Sequence, residues 1–378
     1  MAAVAATLGA LAIAASCSNF DDDFDFCRRE GRCRAADAGA PDSGAPSDSG
    51  TGADAGDSGA PGDAGTGDAG ADGGPGDAGF PDAGTDAGDS GAPDAGGADA
   101  GTWTKVLQVL DGGVALYGVW VAPSGDVFAC GSKGTLLRLD AGVDVPSITT
   151  SGTTTFSAVC GTTGSEVFAV GSLGQVRTWQ DGGWKSDNIA TSADLYGVTC
   201  LSNGRVFAAG NDSQVFQRAS FGNWSGESTV GGNLYNAIWG LSPNDIWVVG
   251  QSGVIVHRNA TPAWVADTSS VGGMDLFGVS GTSASDVWVV GHDMAVGHWD
   301  GGSWTGQFQS ATSRLWAVWA HTPTDAWAVG VNGLILHWDG TSWMQVASST
   351  NEELRAISGR NAVDIWAVGA AGGIYHPQ

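Results

Sequence analysis

From residue 103 onward, short apolar tracts alternate with polar turns on a fixed period. A strand-like tract ending in glycine recurs as DVFACG, EVFAVG, RVFAAG, DIWVVG, DVWVVG, DAWAVG and DIWAVG. The closing glycines are Gly131, Gly171, Gly210, Gly250, Gly291, Gly330 and Gly369, spaced 40, 39, 40, 41, 39 and 39 residues apart. A period near 40 with several short strands per copy is the pattern of an all-β propeller. Each copy resolves into four strands. The first reads Leu-x-Gly/Ala-Val, as in Leu116-Tyr-Gly-Val and Leu315-Trp-Ala-Val. A tight turn leads to the glycine-ended second strand, and a third reads GVIVHR, GLILHW or GGIYH. Asp-Gly turns, favoured in two-residue hairpins, then lead to a fourth strand opening on Trp184, Trp224, Trp264, Trp304 or Trp343. The tract near residue 143, DAGVDVPSITT, lacks that tryptophan and is the most degenerate fourth strand.

The chain stops after a third strand, Ile374 to Gln378, and the periodic region begins at Trp103-Thr-Lys-Val-Leu, which matches a fourth. The first strand therefore completes the last sheet, leaving a seven-bladed propeller of four-stranded blades over 103–378. Such closure limits exposed sheet edges. Alternate strand residues face opposite sides of a sheet. The aromatic three before each glycine (Phe128, Phe168, Phe207, Trp247, Trp288, Trp327, Trp366) is thus expected in a packed layer between blades. The glycines themselves are expected where the chain turns tightly.

Composition divides the chain sharply. The formal charge is -25, and all 17 tryptophans lie between Trp103 and Trp366. Residues 37–100 hold 14 Asp, no Lys or Arg, and one aromatic, Phe80. Low hydrophobicity with charge of one sign cannot offset the entropy of ordering a chain. Residues 35–101 therefore read as a disordered Ala/Gly/Asp-rich linker, and as a Gly-rich coil the roughly 86 residues from Cys17 to Trp103 span about 50 Å. It carries neither the twelve-residue Ca loop nor the GGxGxD repeat, so a solvated tether is expected rather than a calcium site. No basic stripe is present, which argues against nucleic acid and anionic lipid as partners.

Residues 1–17 begin with an apolar run, AAVAATLGALAIAAS, too short to span a bilayer and fitting a secretory signal. The stretch Ile13-Ala14-Ala15-Ser16-Cys17 resembles a bacterial lipobox. That resemblance implies lipidation of Cys17, and Ser18 after it implies sorting to an outer membrane. Ala14 replaces the usual branched aliphatic, no Lys or Arg precedes the run, and ordinary cleavage after the small residues is the alternative. Residues 18–34 form a short segment whose Cys27 and Cys33 can close a small loop. The periodic region resembles secreted bacterial propeller lipoproteins and, more distantly, Ycf48-type and sialidase-repeat propellers. It departs from the sialidase Asp-box, since His337 stands where Ser belongs and Asp339 precedes Trp343 by four residues.

Several residues invite a chemical reading. His257, His298, His337 and His376 each follow their glycine by seven residues. Equivalent positions on neighbouring blades are roughly 10 Å apart, too far to share a zinc ion, so they read as repeat positions and no metal or other cofactor is expected. Asp245, Asp286, Asp325 and Asp364 share one turn position, where Asp bonds its own backbone. Cys160 and Cys200 lie eleven and ten residues before their glycines, a parity that lets them face each other across blades 2 and 3 or point apart. Cys130 reads as unpaired. Positions that break the period are the better binding candidates. Lys133, Asp212, His292, Asp293 and Asn332 lie in the loops joining second and third strands, unlike one another and unconstrained by the repeat. Trp120, Trp239 and Trp319 stand on first strands where other blades have Cys, Thr or Ser, either plugging the channel or stacking on sugars.

The expectation is a monomeric, non-catalytic binding or adhesion module of the cell envelope. Its partner would be an extracellular or envelope protein or glycan, and it would touch the membrane only through a lipid anchor, at the outer membrane or cell surface (alternatively secreted or periplasmic). The competing class is a carbohydrate-active enzyme, a hydrolase or lyase, which needs convergent carboxylates or an arginine set that the repeat does not display.

Overall fold

The computed structural model describes residues 102–378 apart from positions 110–112, 142–146, 151, 220–222, 231–233, 260–262, 268–270, 272 and 309–312. The expectations for the signal, the tether, Cys17, Cys27 and Cys33 fall outside those residues.

The described strands form seven antiparallel four-stranded sheets. Blades 1 to 6 occupy 116–149, 156–188, 195–227, 235–267, 276–308 and 315–345. Blade 7 comprises 354–377 together with Trp103–Gln108, which supplies its outer strand and pairs with Gly373–Pro377. Thr104 lies opposite His376 and Gln108 opposite Gly373. The degenerate fourth strand of blade 1 is Ser147–Thr149, three residues paired with Leu136–Leu139. Inner strands of successive blades pack on one another, and that of blade 7 packs on that of blade 1, so the ring is closed.

Closure is tied by more than the ladder. Glu352, just before the inner strand of blade 7, accepts the backbone N–H groups of Ala371 (2.6 Å) and Gly373 (3.1 Å) at Oε1. Its Oε2 accepts the Tyr375 hydroxyl at 2.5 Å and lies 3.4 Å from Lys105 Nζ on the N-terminal strand. Burial and this carboxylate push the Tyr375 phenol above its ordinary range.

The aromatic layer is present. Phe128, Phe207 and Trp288 are fully buried, Trp247, Phe168 and Trp327 nearly so, and Trp366 partly. The second-strand glycines correct an expectation. Gly171, Gly210, Gly250 and Gly330 have φ between -161 and -171°, extended backbone that any residue adopts. Their requirement is close approach: a Cβ on Gly131, Gly171, Gly210 or Gly250 would overlap the carbonyl oxygen of Ala115, Thr155, Asp194 or Leu234.

The Asp column is likewise corrected. These carboxylates bond side chains across the sheet, and Asp286 and Asp364 also accept Thr282 and Arg360 of their own hairpins. Asp245, Asp286 and Asp325 meet Nε2 of His257, His298 and His337 at 2.9, 2.7 and 2.9 Å. Those rings stack on Trp247, Trp288 and Trp327 at centroid separations of 3.7, 4.1 and 4.2 Å. Asp364, His376 and Trp366 form a looser copy. Four blades thus share one Asp–His–Trp packing unit.

Candidate functional site

The first strand of every blade carries the same irregularity. In blade 1, Leu116 pairs with Gly131 and Gly118 with Cys130, so the register skips Tyr117. The same shift skips Ser157, Tyr196, Asn236, Phe277, Trp316 and Arg355. Each is the extra residue of a β-bulge, a device that bends a strand and re-aims a side chain. The neighbours on the same strand are fixed by packing. A Cβ on Gly118 would lie 3.0 Å from Ala158 Cα of the next blade, and one on Gly278 would lie 3.0 Å from Ala317 Cα, which explains the Gly/Ala after the bulge. The bulge residue has no such constraint, and it is Tyr, Ser, Tyr, Asn, Phe, Trp or Arg.

All seven bulge residues line one axial cavity of about 170 Å³. It lies at the ends of the inner strands from which the loops joining second and third strands emerge. Its wall has two characters. On blades 5 to 7, the Phe277 and Trp316 rings lie 4.7 Å apart, and the Arg355 guanidinium stands 4.0 Å from the Trp316 centroid. Arg314 stands 4.7 Å from the same ring. Glu353 binds both sides of this stack, accepting Trp316 Nε1–H at 2.5 Å and pairing with Arg355 at 2.8 Å. On blades 1 to 4 the wall is Tyr117, Ser157, Tyr196 and Asn236. Asn236 is buried and its Nδ2 donates to Leu276 O at 2.8 Å. These residues were concealed in the sequence as the variable x of Leu-x-Gly/Ala-Val; six residue types among seven copies of one register position were the signal.

The loop candidates lie at that same end of the strands. Lys133, Asp212, Asp293 and Asn332 occupy one equivalent position with φ of 56, 58, 55 and 56°, shared by Leu173 and Ser252. Their side chains vary, but their backbone does not, which corrects the view that the repeat leaves them unconstrained. His292 Nδ1 lies 2.9 Å from Asp293 Oδ1, and the backbone of His292 bridges to that of Arg314.

Trp120, Trp239 and Trp319 lie elsewhere. Each is half-buried and lies against the next blade. A Cβ on Gly161, Gly281 or Gly359 would come within 2.6, 2.8 and 2.8 Å of the respective indoles. At six joints the fifth residue of one inner strand meets the sixth of the next, and the three without tryptophan do so with different chemistry. Ser280 and Ser358 accept the backbone N–H groups of Ala320 (3.1 Å) and Val121 (3.3 Å). Cys160 and Cys200 are bonded Sγ to Sγ at 2.00 Å, with Cα atoms 5.6 Å apart. Cys130 is a buried thiol whose burial pushes its pKa up.

A second ring of contacts went unnoticed in the sequence. Three outer tryptophans donate Nε1–H to an acid of the preceding blade: Trp224 to Asp187 at 3.1 Å, Trp264 to Glu227 and Trp304 to Asp267 at 2.8 Å. Each acid stands three residues after its own blade's outer tryptophan, a spacing that could have revealed it. Among the described residues, no group of three His, Cys, Asp or Glu side chains is placed to hold a metal ion.

The chain matches no protein-family model and no curated protein sequence. Solved structures do share the fold. A catalytically inactive variant of virginiamycin B lyase from Staphylococcus aureus, solved with quinupristin, has a TM-score of 0.64 at 15% identity, over 72% of this chain and 98% of that one. Ycf48 bound to a D1 peptide has a TM-score of 0.60 at 17% identity, over 74% and 97%. The RRP9 WD40 repeats score 0.64 at 8% identity, over 74% and 99%. At these identities the likeness is one of fold: this chain is a propeller distantly similar to Ycf48 and to the lyase.

Proposed function

We propose that the propeller is a non-catalytic binding module, held out from the cell envelope by its acidic N-terminal segment, that engages an extracellular protein or glycan through the axial face. One observation carries this reading. The bulged inner-strand position carries six residue types over the seven blades, and every one of those side chains lines a single cavity. Packing alone supplies no reason to gather four aromatic and three polar side chains on the axis. Fold analogy carries no function by itself, so the lyase and the peptide-bound Ycf48 mark only that propellers of this shape serve both catalysis and binding.

The test is capture from envelope extract, run beside a glycan array, with the full chain and a Tyr117→Ala/Tyr196→Ala variant of matched thermal unfolding. A partner held by the wild type and lost by the variant supports the module. Turnover of a captured glycan, abolished by the same variant, would replace it with the enzyme reading. Export and lipidation at Cys17 are part of the proposal. A Cys17→Ser chain should leave the membrane fraction, and retention there would reject the anchor.

A further inference from the structure

We infer that the axial cavity is a site for one neutral six-membered sugar ring, the terminal unit of a glycan. This rests on reading the axial ring as the binding face.

Size is the first argument. A cavity of about 150 Å³ takes one benzene ring, and the axial cavity is about 170 Å³. It is open to solvent, so it takes one six-membered ring while the hydroxyls and glycosidic link that make a pyranose larger than benzene reach out of it. Chemistry is the second. A pyranose has apolar C–H faces and a rim of hydroxyls, so its site needs aromatic walls with hydrogen-bonding groups between them. Around the axis the order is Tyr117, Ser157, Tyr196, Asn236, Phe277, Trp316 and Arg355, in which hydroxyls and an amide interleave with the rings. Buried polar groups built to bond a ligand's hydroxyls discriminate strongly against analogues lacking them.

Neutrality is the third argument. Arg355 is the one charged residue among the seven, and it has both a counter-ion and a stacking partner. It pairs with Glu353 at 2.8 Å and stacks on Trp316 at 4.0 Å. Its charge therefore belongs to the wall and is compensated there. A uronic acid gains no uncompensated cation, and an amine gains no carboxylate. The wall is also preorganised, since Trp316 Nε1 and Asn236 Nδ2 are each fixed by a hydrogen bond, which lowers the cost of ordering side chains on binding.

The experiment is saturation-transfer NMR with tryptophan fluorescence on the full chain. Probes are the methyl pyranosides of glucose, galactose and mannose, N-acetylglucosamine, glucuronate, and N-acetylphenylalaninamide as an aromatic amino-acid probe. At least one neutral pyranose should saturate at millimolar concentration and weaken about tenfold in Tyr117→Ala or Ser157→Ala, the loss of a contact worth about 1.4 kcal/mol. Near-UV dichroism identifies any variant that has lost its packing, and Ser157→Ala, the smaller change, keeps the test available. Glucuronate should bind no tighter than glucoside. Tighter glucuronate binding, or saturation by none of the neutral sugars, overturns the inference. If the amide saturates instead and depends on Tyr117, the sugar is wrong while the axial ring stands as the binding face. If nothing saturates and the ring variant also retains its captured partner, both readings fall.

Discussion

Trp120 of blade 1 lies close enough to Gly161 of blade 2 that a single added methyl would come 2.6 Å from its Cη2. Gly161 has no positive φ, so the constraint there is contact and not backbone freedom. Gly161→Ala should therefore lower stability by about 1–3 kcal/mol, the usual cost of overpacking. Adding Trp120→Phe should recover part of the loss. Urea midpoints of the single and double variants check this, and simple additivity of the two changes would contradict it.

The joint between blades 2 and 3 uses a covalent bond where its neighbours use packing. Trypsin without reductant should release the peptide containing Cys160, residues 139–177, joined to that containing Cys200, residues 186–205. Cys160→Ser/Cys200→Ser should lose up to about 4 kcal/mol, the chain-entropy estimate for a loop of this length. Separate peptides in the unreduced digest would remove the bridge from the account.

Closure rests on Glu352. Alanine there deprives two backbone N–H groups, the Tyr375 hydroxyl and Lys105 of their shared acceptor. Loss of charge-assisted bonds to a buried group costs about 3 kcal/mol or more. The effect should be local first. In hydrogen exchange, amides of Trp103–Gln108 should lose protection before those of Tyr235–Ser242 on blade 4. Uniform loss around the ring would show that the terminal strand is no weaker than the rest.

Asp286 gives a pH signature. Burial works to raise its carboxyl pKa, but hydrogen bonds from His298 and Thr282 outweigh it and hold the group below the ordinary carboxylate range. A lowered native pKa gives stability that is present above the unfolded value, about 3.9, and is lost as pH falls through the native one. Asp286→Asn should be less stable than wild type at pH 7, by about 1–3 kcal/mol. The gap should narrow below pH 4. A gap constant from pH 7 to pH 3 would contradict the ionised pairing.

Much of this architecture was legible because it repeats. Six intervals of 39 to 41 residues fix seven copies, and a lone fourth strand at one end facing a missing one at the other fixes the closure. The parity of Cys160 and Cys200 left two directions open because it does not say which way either residue faces. The glycines that Trp120, Trp239 and Trp319 meet on the next blade were hidden for a related reason, since the period alone does not show which residues two inner strands bring together. The axial ring was hidden in the same repeat. Bulges leave no residue signature of their own, and a position occupied by Tyr, Ser, Asn, Phe, Trp and Arg looks like absent constraint rather than gathered function. Left-handed Lys133, Asp212, Asp293 and Asn332 show the converse, a shared backbone state beneath unlike side chains.

The most direct test of the axial face sets two variants of the full chain against each other in the same capture experiment. One alters the ring, Tyr117→Ala/Tyr196→Ala. The other alters the opposite end of the strands at two exposed apolar side chains of the hairpins, Leu241→Ala/Val363→Ala. The account expects a specific partner retained by the wild type and the hairpin variant, and lost by the ring variant at unchanged thermal stability. A partner lost with the hairpins and kept by the altered ring would place recognition on the other face and contradict it.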